Sequence, residues 1–171
     1  FDLNYDLNNK SFDSKVSSEN ASINDLSMTF NKGEISLLDS SFNFDLSLVL
    51  NQSRNPITFL GSIPLKKNKE LDLRLRADET IFDLYEKLYG RNFSFKNGDI
   101  NFGMKFSGPL NKPEANGYLS IDNGSFDIFR NSLKDINALL IFDFDKVEIV
   151  KFKAKGAKSG EINIKGTLPF Y

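Results

Sequence analysis

The stretch "INFGMKFSGPLNKPEANGYLSIDNGSFDI", from Ile100 to Ile128, decides the fold. Ile100, Phe102, Met104 and Phe106 alternate with polar or small residues, and Leu119 with Ile121 and Phe126 with Ile128 repeat the alternation. A period of two is that of a strand with one dry face. Gly108-Pro109, Asn116-Gly117 and Asn123-Gly124 read as turns between such strands, as do Asn97-Gly98 before them and Ser159-Gly160 after. The stretch contains no evident catalytic group.

The same pattern extends in both directions. Phe1, Leu3, Tyr5 and Leu7 alternate with polar residues, as do Phe42, Phe44, Leu46, Leu48 and Leu50, and Leu71, Leu73, Leu75 and Ala77. Leu140, Phe142 and Phe144, then Ile162 and Ile164, complete the set. Strands joined by short turns predict an all-β chain, a mostly antiparallel meander. One segment has a different period: Ile81, Leu84, Tyr85 and Leu88 are spaced for a short amphipathic helix, with Asp78 placed to cap it, Lys87 in its last turn and Gly90 beyond its end. "GSIPL" at Gly61 and "GTLPF" at Gly166 echo one another, as if two modules shared a closing signal; proline ends a ladder because it has no N–H to donate. The expected organisation is an incomplete β module over 1–78, a helix over 79–90 and a C-terminal β module over 91–171. Both ends of the chain read as cuts inside a longer polypeptide.

Composition removes several classes of function. Among 171 residues, 22 Lys and Arg balance 23 Asp and Glu for a net charge of −1, which argues against nucleic acid or an anionic surface held by bulk charge. Without His or Cys, the imidazole base, the thiol nucleophile and the commonest metal ligands are missing, so no enzyme activity, metal or cofactor is expected. The longest apolar run, Ala138 to Phe142, falls far short of the roughly 20 residues of a membrane-spanning helix. Asp143, Asp145 and Glu148 read as a solvated face rather than a cation site, and "DNGSFD" from Asp122 to Asp127 as a turn.

One apolar face per strand requires a cover: a second sheet, helices or a foreign apolar molecule. A single short helix is too small for so many strands. The alternatives are a self-packed sandwich or closed barrel, the commoner outcome for such a composition, and a curled sheet that holds something else, to which the 17 Phe with few small residues to interdigitate point; composition leaves both open.

The run from Asn97 to Ile128, followed by Leu133 to Phe170, resembles the C-terminal part of the TamB family, the translocation and assembly module subunits of Gram-negative bacteria, and is similar to their cyanobacterial and chloroplast-envelope relatives. One recurring phrase of that family is carried by Gly108, Asn111, Pro113, Gly117 and Gly124, a second by Gly160, Gly166, Leu168 and Pro169. The resemblance implies a sheet curled into an open β-taco trough with one short amphipathic helix, part of a periplasmic protein anchored in the inner membrane by other segments of a longer parent. It implies phospholipid as cargo conducted between the inner and outer membranes. Strand alternation then gives the in-pointing set expected to line the groove, Phe102, Met104, Phe106, Leu119, Ile121, Phe126, Ile128, Leu140, Phe142, Ile162 and Ile164, with Tyr118, Ser120 and Asp127 facing water. The alternative is a β-augmentation chaperone whose partner is an outer-membrane barrel-assembly protein.

Overall fold

The computed structural model describes residues 2–6, 11–15, 21–23, 26–50, 55–89, 93–129, 131–156 and 160–169. Phe1, Leu7, Gly90 and Ser159 lie outside them, as do the side chains of Leu3, Tyr5, Leu84, Lys87 and Leu88. The elements are β1 (Asp2–Asp6), β2 (Ser11–Lys15), β3 (Ala21–Ile23), β4 (Leu26–Leu38), β5 (Ser41–Leu50), β6 (Ile57–Pro64), β7 (Glu70–Ala77), α1 (Thr80–Tyr89), β8 (Phe93–Pro109), β9 (Glu114–Ile128), β10 (Asn131–Asp143), β11 (Lys146–Gly156) and β12 (Glu161–Pro169).

The strands follow one another across a single sheet in the order β1-β2-β4-β5-β6-β7-β8-β9-β10-β11-β12, with β3 paired to β4 off this path. The ladders from β1 to β7 and from β9 to β12 run antiparallel. β1 and β12 stand at opposite ends of that order, so the sheet is not closed. This is the expected all-β antiparallel meander, open and with one short helix. By compactness the chain divides into two units, Phe1–Arg76 with Lys105–Glu114, and Ala77–Met104 with Ala115–Tyr171.

In the first unit, Asp39 and Ser40 both take left-handed φ values, 50° and 58°, between the paired residues Leu38 and Ser41. Positive φ at both central residues is the conformation that matches the twist of a two-residue hairpin. The apolar alternation of β5 then stacks on its neighbours: Phe42 meets Phe12 at 6.0 Å and Phe44 at 6.5 Å between ring centroids, and Phe44 meets Phe59 at 5.5 Å. Phe42 and Phe44 lie on one strand, while Phe12–Phe42 and Phe44–Phe59 join different strands, and side-chain contacts between strands stabilise a sheet. Leu26, Leu50 and Ile57 are buried at the far end of these strands.

The two echoed segments have one local structure. Gly61 and Gly166 both have positive φ, 137° and 154°, and Pro64 and Pro169 are the last residues of β6 and β12. Gly61 also sits where β7 comes close, since a Cβ there would lie 1.9 Å from the Asp72 carbonyl oxygen.

In the second unit, the Asn-Gly pairs correct the sequence reading. Asn97-Gly98 lies inside β8, and Asn116-Gly117 and Asn123-Gly124 lie inside β9. Asn-Gly allows left-handed backbone without dictating chain reversal, and here Gly98 (φ 129°) and Asn123 (φ 52°) use it within strands. Register confirms one extra residue in each of three neighbouring strands: between Ile121 and Gly124 in β9, between Leu133 and Ile136 in β10, and between Ile149 and Phe152 in β11. These are β-bulges, which bend a strand and raise its twist. Each also reverses parity, so that in β9 Leu119 and Ile121 share a face with Phe126 and Ile128 despite the odd and even numbers. "DNGSFD" is therefore bulged strand, not a turn.

A second correction concerns Phe144, expected in a strand. It occupies the turn between the paired residues Asp143 and Lys146, with φ 47°, and its N–H donates to the Ala115 carbonyl at 2.9 Å. Aromatic residues rarely adopt this conformation, so the composition of the segment concealed it.

The helix starts where its cap predicts. The Thr80 N–H and hydroxyl both donate to Asp78 Oδ1, at 3.0 and 2.7 Å, while the Ile81 N–H reaches the Asp78 carbonyl at 3.1 Å. Asp78 and Thr80 are both buried. Asp78→Ala should therefore lower stability by about 1–2 kcal/mol, read as a shift of the urea midpoint, with Asp78→Asn recovering most of the loss; an unchanged midpoint would show the cap to be idle.

Candidate functional site

The apolar face of the second unit is built from matched rows. Leu140 pairs with Leu119 on one side and Ile149 on the other; Phe142 pairs with Gly117 and Val147, and Val147 with Leu168; Ala138 pairs with Ile121 and Phe152, and Phe152 with Ile164. None of these side chains can donate or accept a hydrogen bond. Gly117 belongs to the face because a Cβ there would sit 2.9 Å from Met104 Sδ and 2.3 Å from the Gly103 carbonyl oxygen.

The face is not uniform. Towards the helix, Ile100, Ile121, Phe126, Ile136, Ala138 and Ala154 form a buried cluster. Phe82 of α1 lies on it, its ring centroid 5.4 Å from Phe93, 5.9 Å from Phe95 and 5.2 Å from Phe126, and Phe126 is only 4% exposed. Towards the β10–β11 turn, Phe102, Met104, Phe142 and Ile149 are half-buried and stand apart from that cluster. In keeping with its small size, α1 covers one end of the face and not the rest.

The residues expected to line a groove divide accordingly. Ile121 and Phe126 are buried in the cluster, and Leu119, Ile128, Leu140 and Ile162 are half-buried against it. Phe102, Met104 and Phe142 lie on the open part of the face, and Ile164, on β12, is 44% exposed. Phe106 is half-buried and belongs to the first unit. The sequence reading omitted Phe82, Ile136, Ala138, Phe152 and Ala154. Phe82 lies one residue off the Ile81–Leu84 stripe, and Phe152 and Ala154 lie beyond the bulge that separates them from Val147 and Ile149, whereas Ile136 and Ala138 alternate in step with Leu140 and Phe142 and that signal could have found them.

The opposite face is polar but not bare. Tyr118, 43% exposed, lies across the backbone of Gly103, where a Cβ would come within 2.8 Å of Tyr118 Cε1; an aromatic ring over a strand glycine restores the missing packing. The Ser132 hydroxyl donates to the Asp127 carboxylate, and this bond, with Lys96 at 3.4 Å, holds the Asp127 carboxyl below its ordinary range. Lys155 is raised by its hydrogen bond with Asp135 at 3.0 Å. Asp143 pairs with Lys146 at 3.3 Å, and among the described residues no group of three acidic side chains is placed to hold a metal ion. No described helix is long and apolar enough to cross a membrane.

The first unit has a depression of about 700 Å³ over β2, β4, β5 and β6. Asp13, Ser36, Asn43 and Ser62 form one row of its lining and Lys15, Glu34, Asp45 and Leu60 the next. It is a furrow between side-chain ladders on the polar face.

Comparison with protein-family models, curated proteins and solved structures finds no match to this chain.

Proposed function

We propose that this chain is a lipid-holding segment of a TamB-like envelope protein: not an enzyme, periplasmic, with its parent anchored in the inner membrane. Phospholipid acyl chains rest on the open part of the apolar face and pass along it between inner and outer membranes. The observation that carries this reading is the half-buried strip of Phe102, Met104, Phe142 and Ile149, bordered by Leu119 and Leu140 where it meets the sealed cluster and free of polar side chains. Hydrocarbon gains about 0.8 kcal/mol for each CH₂ buried, so a palmitoyl chain gains on the order of 12 kcal/mol gross, before the cost of ordering it. A lining of similar aliphatic and aromatic groups, with no hydrogen-bonding anchor, favours sliding over lodging.

Leu119→Arg tests it. Leu119 is half-buried where the strip meets the sealed cluster, so the long arginine can lift its charge to water while obstructing the row. Loading of a fluorescent phospholipid from phosphatidylethanolamine and phosphatidylglycerol vesicles should fall about tenfold, equivalent to ~1.4 kcal/mol, with circular dichroism unchanged. Equal loading of both proteins, or none by the parent chain, overturns the reading.

A second reading has one observation in its favour: β12 is hydrogen-bonded to β11 alone among the described strands and is exposed along nearly its whole length. Such an edge suits β-augmentation with an outer-membrane barrel-assembly protein. Under that reading Leu119→Arg keeps its protein pairing and its loss of lipid has no consequence for function.

A further inference from the structure

Three strands of the first unit recur in the second with the same register. Beside the turn into β5, Ile35 pairs with Phe44 and Phe44 with Gly61, and Ser36 pairs with Asn43 and Asn43 with Ser62. Beside the turn into β11, Leu140 pairs with Ile149 and Ile149 with Gly166, and Ile141 pairs with Glu148 and Glu148 with Thr167. Each residue of the second set follows its counterpart at the spacing that separates Gly61 from Gly166, and both turns open on a residue of left-handed φ, Asp39 at 50° and Phe144 at 47°. β12 therefore has the place, the glycine and the terminal proline of β6. It differs in its far side: β6 has a second neighbour, β7, whereas β12 pairs with β11 alone among the described strands. Exposure follows. Phe59 and Ile63 are half-buried and Pro64 is buried, while Ile164, Leu168 and Pro169, in the matching places, are exposed. At Gly61 the Asp72 carbonyl of β7 takes the space of a Cβ, whereas at Gly166 nothing lies within 4 Å of that point.

We propose that the free edge of β12 is a docking site for one antiparallel strand of another polypeptide, seated in the register that β7 takes on β6, with its backbone passing over Gly166. In the β6–β7 ladder, Phe59 lies opposite Leu75, Leu60 opposite Arg74, Gly61 opposite Leu73 and Ser62 opposite Asp72. Carried to β12, this register sets apolar partner residues opposite Ile164 and Gly166 and a polar one opposite Lys165. The incoming strand is thus apolar at alternate positions, as β7 is at Leu71, Leu73 and Leu75, and acidic where β7 has Arg74, because like charges directly opposite destabilise a ladder. A second copy of this chain does not supply it from β7, which lies between β6 and β8. The proposal rests on the edge-pairing reading given above, which it deepens, and is independent of lipid.

The probe is a fluorescent peptide of the β7 sequence, residues 68–79 carrying Arg74→Glu, titrated with the full chain and followed by anisotropy. The unaltered chain should bind it, bind the peptide that keeps Arg74 about threefold more weakly, and leave a scrambled sequence unbound. Gly166→Ala should weaken binding about tenfold, equivalent to ~1.4 kcal/mol, because its Cβ stands where the partner's backbone passes. Register is read separately, since the chain has no cysteine of its own. With oxidised glutathione as oxidant, a peptide carrying cysteine at the Asp72 position should link to Thr167→Cys and not to Asn163→Cys, ~13 Å further along β12. Equal linkage to both, or preference for Asn163→Cys, overturns the proposal even if Gly166→Ala fails to fold, while leaving the edge-pairing reading in place. Undiminished binding by a folded Gly166→Ala, or equal binding of the scrambled peptide, overturns it too. Concentration-dependent dimers of the unaltered chain that take up no peptide give the edge to a second copy and overturn it. Neither peptide binding nor dimers would overturn the edge-pairing reading and the proposal together.

Discussion

Alanine at Phe126 is expected to cost about 3–5 kcal/mol of folding stability, whereas alanine at Phe142, two rows into the open strip, should cost about 1–2 kcal/mol. The two residues are the same type, on the same face of the same unit. They differ in cover. Phe126 is 4% exposed and lies within 5.1 to 5.3 Å of Phe82, Phe93 and Phe95, so its removal leaves a cavity walled by three rings, and aromatic pairs add about 0.5–1.5 kcal/mol each beyond burial. Phe142 is half-buried, and its removal deletes contacts without enclosing a void. Urea denaturation of both variants at matched m-value gives the comparison directly. Equal losses would mean that the face is sealed or open throughout, and the division drawn at Phe82 would be wrong.

Gly61→Ala is the second substitution with a large expected effect, about 2–6 kcal/mol. Two separate costs contribute. The backbone at Gly61 has φ 137°, a region in which an L side chain is strained by about 1–3 kcal/mol. The new Cβ would also lie 1.9 Å from the Asp72 carbonyl oxygen and 2.9 Å from Leu73 Cα, and those atoms belong to the backbone of β7, which cannot rotate away, so overpacking adds about 1–3 kcal/mol. Amide exchange should accelerate in β6 and β7 while β9–β11 keep their protection, since Gly61 and Asp72 belong to the first unit. Gly160→Ala is the control: nothing lies within 4 Å of a Cβ at that position, and stability should stay within about 0.5 kcal/mol. A loss as large at Gly160 as at Gly61 would show that the close approach of β7 is not what makes Gly61→Ala costly.

The architecture was legible in the sequence because strand alternation is strict over the segments that matter most. Phe42 to Leu50, Leu71 to Ala77 and Ile100 to Phe106 each keep one face apolar without interruption, and the helix announces itself through Asp78 and a different spacing. Legibility failed where one extra residue enters a strand. "VEIVKFKA" carries Val147 and Ile149, then Phe152 and Ala154, on a single face, but the intervening Val150-Lys151 disguises the alternation. Asn-Gly is ambiguous for a related reason: the pair supplies permissive backbone, and whether the chain reverses or merely bulges depends on the strand that lies alongside. Phe144 was unreadable because its turn conformation is fixed by the pairing of Asp143 with Lys146 and by its hydrogen bond to Ala115, not by its own preference. As for the candidate site, the face was visible in the sequence and its partial cover was not, because the contact of Phe82 with Phe126 joins positions more than forty residues apart.

The bulges in β9, β10 and β11 also constrain how such a chain can change length. Deleting Asn123 alone would invert everything downstream in its strand, sending Phe126 and Ile128 to the wet side while Leu133 and Ile136 stay on the dry one. Single-residue insertions and deletions here are therefore poisonous, and evolutionary lengthening or shortening of the ribbon must proceed by gain or loss of whole hairpins, each carrying its own compensating slip.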